Sequence, residues 1–114
     1  MNAPADQPAT VDIDGVTVAT GHLIGGQRVD SATTFESRSP LDWNRTLAHV
    51  SRGDGDVARA AVDAALAGFE VWSRTPPAER AATLRRLADL IDAHNDDIAL
   101  VETLDMGFLH RSMR

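Results

Sequence analysis

The stretch SRGDGDVARAAVDAALAGFEVW, Ser51 to Trp72, decides how the rest of the sequence is read. Gly53, Gly55 and Ala58 fall on the G-x-G-x-x-A spacing of a dinucleotide-binding loop, with an alanine-rich amphipathic run behind them. A pyrophosphate-binding turn needs glycines for close backbone approach and a helix N-terminus whose N–H groups face the phosphate. Here Asp54 and Asp56 would set two carboxylates beside that phosphate, and the chain continues into a second helix start at Pro76-Pro77 rather than into a strand with an acidic end. A helix N-cap at Asp54 or Asp56 accounts for the same residues without conflict. The stretch is therefore a helix start. Val57, Ala61, Ala65, Phe69 and Trp72 line one face over about four turns, and the following helix is the expected partner of that face.

Downstream, Pro77 stands at a first helical position, where its missing N–H costs nothing, and Glu79 suits the positive end of the dipole. Leu84, Leu87, Ala88 and Ile91 form the predicted buried stripe of this second helix. Asn95 or Asp96 is placed to cap a third helix carrying Ile98, Val101 and Leu104, with Gly107 at its C-terminal stop. Upstream, from Val16 to Val50, the chemistry is that of strands. HLIGGQRVD sets Gly25-Gly26 between two short apolar runs, the signature of a tight hairpin. TFESRS and RTLAHVS flank PLDWN, whose Pro40, Asp42 and Asn44 predict a second turn. Trp43 and Trp72 read as core or turn-packing aromatics.

The fold class expected is an α+β unit of N-terminal β-hairpins followed by three amphipathic helices. Its parts are a flexible leader over 1–15, paired β-ribbons over 16–52, a helical region over 53–107 and a short continuation over 108–114, in which Phe108, Leu109 and Met113 have no partner element. The 114 residues, 43% hydrophobic and 25% charged, suffice for one small core and not for a two-domain enzyme. A formal net charge of -6 repels nucleic acid and anionic lipid, so neither is an expected partner. The N-terminus lacks the basic and apolar regions of a signal peptide, and a cytoplasmic location is the expectation.

The absence of any cysteine excludes disulfides, thiolate metal sites and a cysteine nucleophile within these residues. The four histidines, His22, His49, His94 and His110, have no metal-ligand spacing, and Asp12-x-Asp14-Gly15 and Asp54-x-Asp56 lack the further oxygen ligands of a calcium loop. Glu102 and Asp105 share one helix face near a C-terminus, where the dipole disfavours carboxylates; an ion pair with an arginine is their ordinary explanation.

The order of these pieces carries more than any one of them. The Gly-Gly hairpin followed by aspartate, the alanine-rich helix ending in Phe69 and Trp72, the PAER start, RRLADLI and ETLDMG occur in sequence from about His22 to Gly107. In this order they resemble the N-terminal segment of the NAD(P)-dependent aldehyde dehydrogenase superfamily, and the ending DMGFLHRSMR leans toward the branch that oxidises semialdehydes of aromatic catabolism. The resemblance implies an α/β enzyme that takes NAD or NADP and oxidises an aldehyde to the acid through a cysteine thiolate and a glutamate, usually as a homo-oligomer. It also implies that the cofactor is bound further along than the segment like GDGDVARAAV. This chain then reads as the first portion of such an enzyme, a truncated frame or a fragment. Catalytic and cofactor-binding residues are expected to be absent from it, and its partner is the remainder of a dehydrogenase chain. The resemblance further implies a structural monovalent cation at Asp105 with the backbone carbonyls of Ser37 and Arg38. Arg38 and Ser39 depart from the family's small apolar residue and asparagine there, and Pro76 replaces the usual serine cap before PAER. The competing expectation is a small non-enzymatic module that binds partners through exposed helix stripes.

Overall fold

The computed structural model describes residues 9–107. Asp14 and Gly15 both adopt positive φ, and they close a hairpin between β1, Thr10–Ile13, and β2, Val16–Ala19. This corrects the expected leader over 1–15, because residues 10–15 are the first ribbon and its turn. The Asp-Gly pair supplies the backbone that a two-residue hairpin requires, and Val11 and Ile13 alternate with polar neighbours, with Ile13 buried. Asp12 also accepts a hydrogen bond from the Gly15 N–H at 3.0 Å, so Asp12 and Asp14 act as turn residues.

The Gly25-Gly26 hairpin forms as the sequence indicates, at φ 57° and 78°, joining β3, His22–Ile24, to β4, Gln27–Val29. The third ribbon pairs β5, Thr34–Ser39, with β6, Asp42–Ser51. Its turn is shorter than PLDWN suggests, because Asp42 already pairs with Ser39. Each ribbon is a separate two-stranded antiparallel sheet. A bulge interrupts the β5–β6 ladder around Arg38, where the register shifts on both sides.

Three helices follow: α1, Gly55–Trp72, α2, Pro77–Ala93, and α3, Asn95–Met106. Helix α1 runs for 18 residues, about five turns, one more than its apolar face alone marks out. Helix α2 begins at Pro77 with no side-chain cap, as the loss of a serine at Pro76 requires. Neither Asn95 nor Asp96 caps α3; His94 occupies that position without a side-chain cap, because α2 and α3 abut there with no loop to carry an extended cap residue. Gly107 ends α3 in the left-handed conformation, its N–H donating to the Thr103 carbonyl at 2.9 Å.

The core is small and lies in one place. Among the described residues Ile13, Leu47, Ala48 and Ala99 are the buried apolar ones, contributed by the first ribbon, β6 and α3. Helix α3 packs against β5, and α1 lies against β3 rather than on the next helix as expected. Two further expectations are corrected. Leu84, Leu87 and Ile91 of α2 are exposed, and so are Trp43 and Trp72. The physical reason is one of cover: α1 and α2 hold no buried residue because, apart from the short strand β3 against one side of α1, little in the described chain lies over their apolar faces. The radius of gyration, 17.1 Å, exceeds the roughly 13 Å of a compact domain of this size. Phe108, Leu109 and Met113 lie outside the described residues.

Candidate functional site

The residues singled out by sequence meet where the last turn of α3 crosses the end of β5. Strand alternation sends Ser37 and Ser39 toward α3 and Glu36 and Arg38 away from it. Ser37 Oγ donates to Asp105 Oδ1 at 2.8 Å, and Ser39 Oγ donates to the Leu104 carbonyl at 2.7 Å. The second bond satisfies one of the carbonyls that every helix C-terminus leaves without an intrahelical partner. Ser39, 1% exposed, also accepts from the Leu41 N–H at 3.3 Å, so one hydroxyl ties the ribbon turn to the helix end. Gly107 completes the junction, because a Cβ there would stand 3.0 Å from Pro40 Cγ.

Asp105 has no arginine partner among the described residues, and neither has Glu102. The expected ion pair is therefore replaced by a serine hydroxyl for Asp105. A neutral donor at a helix C-terminus leaves the carboxylate's charge uncompensated, so the junction remains electrostatically suited to a cation. Beside it lies a cavity of about 260 Å³, with walls that include Ile13, Val18, Leu47 and Val101 and an edge that carries Ser37, Glu102 and Asp105.

Arg38, the basic residue at this site in the sequence, is turned to the other face of the ribbon. Its Nε and Nη2 donate to Glu36 Oε2 at 3.0 and 2.7 Å, and its Nη1 donates to the Trp43 carbonyl at 3.0 Å. A hydrogen bond from Thr46 and then those from Arg38 hold the Glu36 carboxyl below its ordinary pKa. The guanidinium is thus occupied away from Asp105, and the bulge around Arg38 is where backbone groups leave the β5–β6 ladder. Among the described residues no three histidine or carboxylate side chains converge as a metal cluster, so any cation here would depend on backbone and hydroxyl oxygens in addition to Asp105.

The glycine-rich stretch from Gly53 to Ala58 is a helix cap. Asp54 accepts from the Asp56 and Val57 N–H groups at 2.9 and 3.0 Å, which holds its carboxyl below the ordinary value. Its carboxylate therefore takes the first amides that a phosphate would need, although a cavity of about 380 Å³ adjoins the same loop. His22, on the rim of that cavity, shares a hydrogen bond of 2.8 Å with Ser31. The described residues contain no helix long and apolar enough to cross a membrane.

Sequence reasoning named Ser37, Arg38 and Asp105 and missed Ser39 as a clamp. The signal was available: position 39 shares a strand face with position 37, and a polar residue there needs a partner from whatever covers it.

Residues 28–114 match the aldehyde dehydrogenase family. The chain is 41% identical over 101 residues to a phenylacetaldehyde dehydrogenase of Pseudomonas fluorescens, covering 85% of this chain and 20% of that protein. It is 35% identical over 111 residues to a mitochondrial benzaldehyde dehydrogenase of Antirrhinum majus, covering 94% and 20% respectively. An NADP/NAD-dependent aldehyde dehydrogenase of Escherichia coli is 43% identical over 76 residues, covering 65% and 15%. The chain thus spans about a fifth of the length of the curated relatives it matches.

Proposed function

Because this chain belongs to the aldehyde dehydrogenase family, we propose that it supplies the N-terminal portion of an enzyme that oxidises an aldehyde or semialdehyde to the carboxylic acid with NAD or NADP. Alone, these 114 residues are catalytically inactive and bind the dinucleotide weakly. The observation that carries this is the pairing of family membership with the absence of any cysteine in a chain spanning a fifth of its relatives. An aldehyde must be attacked by a nucleophile before hydride can leave, and no thiol is here to do it. The Asp54 cap supports the weak binding, since it fills the amides of the one glycine-rich helix start with the chain's own carboxylate. The partner is the remainder of a dehydrogenase chain, in a complete enzyme that is a homo-oligomer in the cytoplasm.

The finer substrate assignment is an aromatic-derived aldehyde, with a semialdehyde of aromatic catabolism as the specific form. The names of two relatives, phenylacetaldehyde and benzaldehyde dehydrogenase, support the aromatic part. In the same proposal Asp105 and the backbone carbonyls of Ser37 and Arg38 hold a monovalent cation. The 2.8 Å approach of Ser37 to Asp105 and the diversion of the Arg38 guanidinium to Glu36 support that assignment.

The test is NADH or NADPH formation, followed by absorbance, with phenylacetaldehyde, benzaldehyde and a muconate-type semialdehyde. The purified 114-residue chain should give none; turnover by this cysteine-free material would overturn the inactivity. A full-length chimaera, with the matching segment of the phenylacetaldehyde dehydrogenase replaced by this chain, should be active. An inactive chimaera that is nevertheless folded would overturn the enzymatic reading.

A further inference from the structure

The sequence holds two Asp-Gly pairs, Asp14-Gly15 and Asp54-Gly55, and the fold treats their chemistry in opposite ways. An aspartate before glycine is open to attack from its own backbone, because glycine has no Cβ to keep its nitrogen away from the neighbouring carboxyl carbon. The attack closes a five-membered ring, so the glycine nitrogen must come nearly eclipsed with the aspartate Cβ about the Cα–C bond. At Asp54 the backbone goes most of the way. Its φ of -108° and ψ of -170° leave the Gly55 nitrogen about 50° short of that eclipsed position, because N and Cβ stand roughly 120° apart around Cα. Asp54 Oδ1 accepts from the Asp56 and Val57 N–H groups at 2.9 and 3.0 Å, so two donors already face the oxygen on which charge collects when Cγ becomes tetrahedral. Gly55 is the first residue of α1, and its N–H has no intrahelical acceptor. Both residues are exposed, so water reaches them. Asp14 is placed differently. Its φ of 51° puts it in the left-handed region, where a ψ of about +47° sets the next nitrogen roughly opposite Cβ. The Gly15 N–H donates to Asp12 Oδ1 at 3.0 Å, and Arg45 Nη2 holds Asp14 Oδ1 at 2.6 Å.

We propose that Asp54 is a site of spontaneous isomerisation to isoaspartate through a succinimide formed with Gly55, and that the first hairpin shields Asp14 from the same reaction. The neutral form of the Asp54 carboxyl is the one that reacts. The Gly55 nitrogen bonds to Cγ, the Cγ–Oδ2 bond breaks, and the hydroxyl leaves as water with the proton that the nitrogen gives up. A solvent water then opens the ring. Addition at Cγ restores aspartate, whereas addition at the main-chain carbonyl breaks its bond to the Gly55 nitrogen and leaves the chain running through Cβ and Cγ. No oxidant or reductant is needed, and the net change is an isomerisation. The product lengthens the main chain by one carbon and moves the carboxylate off the Asp56 and Val57 amides, so the modification removes the cap of α1.

Each passage through the succinimide takes one oxygen atom from solvent, so incubation of the purified chain in heavy-oxygen water at mildly acidic pH tests this. Trypsin cuts after Arg28, Arg52 and Arg59 and so releases Asp54 in the peptide Gly53 to Arg59, apart from Asp14; fragment mass spectra then locate the heavy oxygen and the isoaspartate. In the folded chain, label at Asp54 should exceed label at Asp14 at least about tenfold, and in urea, where backbone geometry no longer distinguishes them, the ratio should fall to about one. Gly55→Ala supplies the second arm. The Gly55 backbone lies outside the left-handed region, and an added Cβ meets only the Arg59 guanidinium, at 3.7 and 3.8 Å, so the variant keeps its fold and gains helix propensity. Its methyl group hinders the attacking nitrogen and should cut labelling at Asp54 at least about fivefold, with helicity by circular dichroism unchanged or higher. An absence of label at Asp54, label at Asp14 that equals or exceeds it in the folded chain, a ratio that urea does not change, or labelling at Asp54 that survives Gly55→Ala overturns the proposal.

Discussion

Two regions of this molecule carry apolar residues and treat them differently. Where α3 meets the ribbons, the chain closes on itself: Leu47, Ala48, Ile13 and Ala99 are buried, and Ser39 ties strand to helix. In α1 and α2 the propensity and patterning are just as favourable, yet no residue is buried. The difference shows that periodicity states which face of a helix should leave water and is silent on what will cover it. Closure in the first region comes from contacts distant in sequence, such as Ser37 with Asp105 and Ser39 with Leu104. The second region has only its own turns and one short strand to rest on.

The largest expected effect sharpens this contrast. Leu47→Ala in the buried region should destabilise the chain by about 3 kcal/mol, as deletion of a packed leucine does. Leu66→Ala on the open face of α1 should change it by no more than about 0.5 kcal/mol. Urea unfolding followed by tryptophan fluorescence and far-ultraviolet circular dichroism measures both. Equal losses would erase the distinction between the regions.

Next come the two residues that pin the junction. Ser39→Ala leaves the Leu104 carbonyl and the Leu41 N–H without this partner in a buried place, at a cost of about 1–2 kcal/mol. Gly107→Ala forces a side chain into φ 75° and against Pro40, with a loss of similar size, about 1–2 kcal/mol. In a double-mutant cycle the two should be non-additive, because both act on one helix end. Additive losses would mean that the turn and the helix terminus are held independently.

A smaller effect probes the cation assignment. At a concentration ten times Kd, potassium or sodium should raise stability by about 1.4 kcal/mol relative to choline at the same ionic strength. Asp105→Asn should remove that difference while leaving most of the Ser37 contact geometry in place. Identical melting of the unaltered chain in all three salts would remove the cation from the proposal.

Much of this architecture was legible beforehand, for identifiable reasons. Gly25-Gly26, the Pro77 helix start and the Gly107 stop each depend on one local backbone requirement, which the residue type alone satisfies. Asp14-Gly15 belongs to the same class, and the first ribbon went unread because the prolines and alanine before it have the composition of a leader. The meeting of Ser37 with Asp105 was legible only through family resemblance, because spacing along the chain does not bring residues 37 and 105 together. The exposure of Leu84, Leu87 and Ile91 was not legible at all, since an amphipathic pattern is identical whether its cover lies in the same segment or elsewhere.

The smallest effect concerns the residue that settled the opening stretch. Hydrogen bonds from the Val57 and Asp56 N–H groups favour ionised Asp54, so its folded-state pKa lies below the ordinary aspartate value. A depressed carboxyl pKa stabilises the fold fully above the unfolded-state pKa, and that contribution disappears as pH falls through the folded-state pKa. The loss therefore falls below about pH 4. Asparagine is an equally good cap that does not ionise, so Asp54→Asn should keep α1 helical at neutral pH and flatten the acid limb of the titration. Asp54→Ala should lower helicity at neutral pH and also flatten that limb. Circular dichroism at 222 nm between pH 6 and 2 distinguishes these profiles. The three proteins differ only at position 54, so the difference between their curves reports on that residue. If the original chain and Asp54→Asn lose helicity along the same acid curve, the ionised cap contributes nothing to α1, and the region's order must come from its contact with β3 alone.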